Sequence, residues 1–105
     1  MRSLKRVAAV IGVGHSDWVG DWQRVRAGER PGDCYAYGAA AFRNALADAN
    51  ITRDRIDGLI VGPTTAYERM AEVLHMNVRW GDQADAVLSV VQACMAIESG
   101  MADVV

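Results

Sequence analysis

Two kinds of spacing alternate along the chain. Residues 7–14 (VAAVIGVG) form a nearly unbroken apolar run, rich in β-branched side chains and closed by a glycine pair. Such a run predicts a strand buried on both faces, the habit of parallel sheets. Residues 56–61 repeat the pattern, with Gly58 near the start and Gly62-Pro63 as the stop. Helical spacing intervenes. Asp33 opens a helix to about Asn50, whose inward face is Tyr35, Ala39, Phe42, Leu46 and Ala49. A polar turn at 52–55 leads into the second strand. Thr65-x-x-Glu68 then reads as a capping box for a helix to about Met76, with Tyr67, Met70, Ala71 and Leu74 inward. Residues 78–80 predict a short third strand.

The last helix stands apart. Between Ala84 and Ser99, the polar Asp85, Ser89, Gln92 and Ser99, with small Ala96 among them, make one narrow stripe at helical spacing. Almost everything else is Val, Leu, Ile, Met, Ala or Cys. A helix this apolar belongs inside a larger protein. Asp82 is its expected cap, with Asp85 reaching back, and Gly100 suits the left-handed position past its end. Residues 101–105 look like the start of a fourth, buried strand. The order βαβαβαβ predicts a mostly parallel, three-layer α/β sheet.

One stretch has neither period. Residues 15–32 are polar, with Gly20, Gly28, Gly32 and Pro31, and read as a long loop. Loops of that length usually carry function or lie under a partner. Trp18 and Trp22 within it serve a binding surface or pin the loop to the body.

With 105 residues the chain is one domain at most. Its net charge of −2 comes from interleaved acids and bases, so no basic face exists for a phosphate backbone and nucleic acid is not an expected partner. The apolar run 87–97 carries Ser89 and Gln92 and is too short to span a bilayer. Residues 1–6 have a charged start without the apolar core of a signal peptide, which makes the cytoplasm the default compartment. Cys34 and Cys94 have neither metal-ligand spacing nor scaffold density, so both are expected to stay reduced, Cys94 as a small core residue. Stopping on an apolar strand start would leave backbone unpaired in a core. Residues 1–105 are therefore expected to be the incomplete, N-terminal front of a longer protein.

Few motifs carry chemistry. Gly12-x-Gly14 suggests a dinucleotide fingerprint, but Asp17 stands at the third glycine and would repel a pyrophosphate. No helix is expected directly after it to hold phosphates. Glycines that let a strand turn sharply explain the pair. His15 lies past a strand end, where α/β ligands often bind, yet it has no ligand partner at suitable spacing. It reads as a loop histidine. His15, Ser16 and Asp17 do not make a triad by adjacency. His75, near a helix end, suits the dipole and reads as structural. Asp82 and Asp85 read as caps, not as an acid–base pair, and no metal site is expected.

Three stretches together resemble the N-terminal half of the thiolase superfamily, especially its lipid-transfer or sterol-carrier branch. They are Val10-Ile-Gly-Val-Gly-His-Ser-Asp-Trp, Ala45-Leu-Ala-Asp-Ala-Asn-Ile-Thr-Arg-Asp-Arg-Ile-Asp-Gly-Leu-Ile-Val, and Met95-Ala-Ile-Glu-Ser-Gly-Met-Ala-Asp-Val-Val. The resemblance implies a three-layer thiolase-like fold of which this chain is the N-terminal part. It also implies a site formed between two similar halves, a coenzyme A thioester as substrate with no covalently bound cofactor, and a place in lipid metabolism or lipid transfer. The partner is a second copy in a homodimer, or a small OB-fold protein in a hetero-oligomer. Aligned on Gly100-Met-Ala-Asp-Val-Val, the position of the family's nucleophilic cysteine holds Gln83. A carboxamide forms no acyl-thioester, so the thiolysis of the acetyl-CoA acetyltransferase family is not implied. Cys94 does not replace it, lying about 16 Å further along the helix at about 1.5 Å per residue.

The resemblance thus leaves two readings. One is an acyltransferase-superfamily enzyme of non-thiolytic, aldolase type, whose acid and base lie beyond Val105. The other is a non-catalytic acyl-CoA- or lipid-binding partner subunit. Without the resemblance, a generic nucleotide-binding α/β domain is the third.

Overall fold

The computed structural model describes residues 8–105. They divide into two compact units, one of Ile11–Ile51 and one of Thr52–Val105 joined by residues 8–10.

The first unit is helical. Helix α1 (Trp18–Arg26) begins where Asp17 accepts a hydrogen bond from the Gly20 N–H. Helix α2 (Cys34–Ala49) begins on Asp33, which accepts from the Ala36 N–H at 2.8 Å, and ends on left-handed Asn50. The 15–32 stretch is therefore not the continuous loop its composition suggested. Its polar residues stabilise a helix through local pairs instead. Arg24 binds Asp21 at 2.5 Å and Asp17 at 3.4 Å, one turn and two turns back. The Asp21 hydrogen bond is the main reason the Arg24 guanidinium is held above its ordinary value.

The glycine pair has a use other than a sharp turn. A Cβ on Gly12 would lie 2.6 Å from the Ala45 carbonyl oxygen, and one on Gly14 would collide with the Ala45 amide nitrogen. The missing side chains let 12–14 run directly against the backbone of α2. Asp48 of α2 accepts from the Val13 N–H, and Asn44 donates to the His15 carbonyl. This stretch forms no strand among the described residues, and Val10, Ile11 and Val13 are exposed. Apolar spacing favours a strand, but a ladder also needs a neighbouring edge, and here the backbone is turned to a helix. Val7 of the expected first strand lies outside the described residues.

The second unit is a βαβα arrangement. Strand β1 (Gly58–Val61) pairs in parallel with β2 (Trp80–Gln83), Gly58 opposite Trp80 and Val61 opposite Gln83. Helix α3 (Tyr67–Val73) makes the crossover and packs on both strands. Its Met70 and Ala71 and its C-cap Leu74 are buried, as are Val61, Ala96 and Ala102. The Tyr67 ring lies against Gly81 of β2, where a Cβ would come within 2.6 Å of it.

Several boundaries differ from expectation. Helix α3 starts on Ala66 without a side-chain cap, and Thr65 is buried instead of forming a capping box with Glu68. His75 lies past the helix in the left-handed region, with φ 56°. Strand β2 begins two residues later than read, where the Arg79 and Trp80 amides both donate to the Asp57 carbonyl. Helix α4 (Ala86–Glu98) is capped by Asp85, accepting from the Leu88 N–H, whereas Asp82 accepts from the Gln83 amide. Gly100 does adopt a positive φ of 77° past its end.

Residues 101–105 form no strand, yet they are tied to the sheet. The Val104 carbonyl accepts from both Asp57 and Gly58 amides at 3.0 Å. The Asp57 carboxylate in turn accepts from the amides of Asp103 and Val104 and from Arg79, each at 2.8–3.0 Å. Partial burial pushes this carboxyl up, but those amides and the Arg79 charge outweigh it and hold Asp57 below 3.8. The described residues thus form an α/β chain with a two-stranded parallel sheet and four α-helices. Two of the four expected strands are present.

Candidate functional site at the carboxyl ends of the parallel strands

In open α/β sheets, ligands gather beyond the carboxyl ends of parallel strands. Here that edge is formed by Val61 and Gln83, adjacent in register, and by the segments that leave them. Gln83 ends β2 and is exposed, two residues ahead of the α4 cap Asp85. Its carboxamide Nε2 donates to the carbonyl of Thr65, the buried residue that follows β1. This bond links the two strand exits. It fixes the carboxamide orientation and leaves Oε1 free to accept, with one N–H still to donate.

Gln83 therefore belongs to the strand end and not to the first turn of the helix. The first turn is filled by Asp85, whose carboxylate takes the Leu88 amide at 3.3 Å. An anion already occupies the electropositive end of α4, which weakens the pull that end exerts on a neighbouring group. Gln83 itself is neither a nucleophile nor a general base, and the carboxylates beside it, Asp82 and Asp85, accept from the Gln83 and Leu88 amides. What this corner can do is donate and accept hydrogen bonds toward a carbonyl-bearing ligand.

The other chemistry-bearing residues have surroundings of their own. His15 sits in the first unit, its Nδ1 2.7 Å from the Ser16 carbonyl and its own carbonyl bound by Asn44. Asp17 is committed to the α1 cap and Arg24, so no triad forms with Ser16. A helix does follow Gly14 closely, but its first turn carries the Asp17 carboxylate, which leaves a phosphate no place there. Cys34 is exposed at the start of α2, and Cys94 is half-buried midway along α4. Among the described residues, no three His, Cys, Asp or Glu side chains gather in a metal-holding group. An open cleft of about 410 Å³ lies between the end of α1 and Tyr37, lined by Asp21, Arg24, Glu29 and Arg30 among others. Its two cations and two carboxylates leave it no net sign.

Two features escaped the sequence reading. The Asp57 node joins residues far apart in the chain, and only its aspartate–glycine step before an apolar run hinted at a special strand start. The α1 helix was signalled by acids at 17 and 21 with Arg24 at helical spacing, hidden among glycines.

Helix α4 shows a further property of the site's surroundings. Its small and polar positions turn inward: Ala96 is buried, and Ser89 and Gln92 are half-buried. The large residues Val87, Leu88, Val90, Val91 and Met95 face outward, Val87 at 77% exposure. The helix that starts beside Gln83 is thus covered on one side only by the described residues.

No family model matches the chain, and no curated protein sequence does. Among solved structures it is similar to a chain of the "Ltp2-ChsH2(DUF35) aldolase", with a TM-score of 0.68 and 22% identity. The match covers 90% of this chain and 25% of that one, so the chain spans about a quarter of that protein's length. At this identity the likeness speaks to the fold. Among the described residues, no helix is long and apolar enough to cross a membrane.

Proposed function

We propose that this chain is the N-terminal part of a thiolase-like, three-layer protein that handles coenzyme A thioesters without a cysteine nucleophile. The reaction class is aldolase-type cleavage of a carbon–carbon bond next to the thioester. The observation that carries this is Gln83 at the end of β2, ahead of α4, with its carboxamide oriented by the Thr65 carbonyl. The name of the solved aldolase it resembles in fold supports the same reading.

In such a cleavage a base removes the proton of a β-hydroxyl group. The Cα–Cβ bond then breaks, releasing a ketone or aldehyde, and the electron pair passes to a thioester enolate that is protonated at Cα. The Gln83 carboxamide is suited to donate a hydrogen bond to the thioester oxygen as charge builds there. The acid and base come from residues beyond those described, across the interface with a second half. The assembly is a homodimer or a hetero-oligomer with a small OB-fold protein.

Retro-aldol turnover of a β-hydroxyacyl-CoA by the parent protein tests this reading. Gln83→Ala should lower kcat by about 10²-fold, the usual loss of one oxyanion donor. No thiolysis of acetoacetyl-CoA is expected from the wild type. Thiolysis by residues 1–105 alone, or an unchanged kcat in Gln83→Ala, would overturn the proposal. The outward apolar face of α4 favours a second reading, a non-catalytic partner subunit that binds acyl-CoA or another chain. Binding of an acyl-CoA by the parent without any cleavage would select it.

A further inference from the structure

The α1 helix carries a surface that its own unit does not use. Trp18 and Trp22 are 66% and 59% exposed, and Val19 and Val25 flank them, each at least 40% exposed. Positions 18, 22 and 26 follow one another at four-residue spacing, so Arg26 extends the aromatic stripe. Its guanidinium lies over the Trp22 ring, 4.9 Å from the centroid.

The acids of this helix are already paired, since Asp17 and Asp21 are both bound to Arg24. Arg26 makes no ion pair among the described residues. The aromatic face therefore carries one cation that nothing neutralises. Two exposed tryptophans beside a stacked arginine is the composition of an interface anchor, because Trp and Arg dominate binding hot spots.

We propose that this face of α1 docks a protein partner that presents a carboxylate framed by apolar side chains. The carboxylate meets Arg26, and the apolar groups cover Trp18 and Trp22. An anionic bilayer suits the face less well. Membrane-surface helices are rich in Lys and Arg on their polar side, whereas residues 17–30 carry Asp17, Asp21 and Glu29 against Arg24, Arg26 and Arg30, with no net charge. The proposal concerns the first unit and stands whether or not the Gln83 reading does.

A photo-crosslinking residue in place of Trp18, in the intact protein in the cells that make it, tests this. The expected result is an adduct to one other protein, mapped to a peptide with an Asp or Glu between apolar residues. Arg26→Glu should lower the yield about tenfold or more, Arg26→Lys should retain most of it, and reversing the partner's carboxylate to Arg should restore it against Arg26→Glu. Circular dichroism of each variant checks that α1 is intact. A lipid adduct, an adduct to a second copy of this chain, a contacted peptide without a carboxylate, a yield indifferent to Arg26→Glu, or no adduct at all would each overturn the proposal.

Discussion

Helices α3 and α4 flank the same strand β1, yet they present opposite faces to it. Helix α3 turns its large side chains inward, with Met70, Ala71 and Leu74 buried on the sheet. Helix α4 turns its small and polar stripe inward and displays Val87, Leu88, Val90, Val91 and Met95. Apolar content alone does not say which side of a helix faces its own sheet. Small residues let a helix approach closely, and a helix whose remaining faces are also apolar is built for two neighbours. Among the described residues α3 has its complement and α4 has one of two.

That contrast is broken most directly by truncation. Leu74→Ala should destabilise the chain by about 2–5 kcal/mol in denaturant unfolding, as a buried leucine in a packed core does. Leu88→Ala on the outward face of α4 should change stability by no more than about 0.5 kcal/mol. Equal costs at the two sites would mean that the outward face of α4 is packed after all.

The Asp57 node gives the next effect. Asp57→Ala removes the acceptor of two amides and a guanidinium, at a cost of about 1–3 kcal/mol in the same measurement. Its pH dependence has a definite sign. The carboxyl is held below 3.8 in the folded chain, so its contribution is full above that value. It is lost as pH falls through the lower, folded value, because the unfolded chain takes up the proton first. Acid unfolding of Asp57→Asn should accordingly be less steep below about pH 4 than that of the wild type. Identical profiles would remove Asp57 from the account.

The smallest effect has the opposite sign. The Gln92 Oε1 on the inward stripe of α4 is buried without a hydrogen-bond partner. Gln92→Met should leave stability unchanged or raise it by up to about 1 kcal/mol, since the desolvated oxygen is removed while the shape is kept. A loss of more than about 1 kcal/mol would mean that the amide has a partner and that the inward stripe of α4 is polar by need.

Much of the framework was legible in the sequence because it rests on local chemistry. Asp33 caps α2 and Gly100 ends α4 as their residue types dictate. The inward face of α3 also follows from spacing alone. The misreadings share a cause. A strand needs a partner edge, which residues 8–14 do not find, and their glycines serve contact with α2 instead. Helix α1 depends on Asp17, Asp21 and Arg24 acting together, a pattern diluted by neighbouring glycine. At the candidate site, Gln83 could be singled out only by alignment to a family pattern, since a glutamine in a polar turn has no distinguishing spacing. The Thr65 carbonyl that holds it is backbone, and no side-chain pattern announces a backbone acceptor.

The Asp57 carboxylate and the Val104 carbonyl are bound to groups nearly half the chain apart in sequence. This has a bearing on synthesis. A chain growing on the ribosome can join the start of β1 to β2 as soon as Arg79 and Trp80 emerge, because both amides reach the Asp57 carbonyl. The other side of that start waits for residues 103 and 104, and a nascent chain stalled before Asp103 would leave the Asp57 and Gly58 amides open to water.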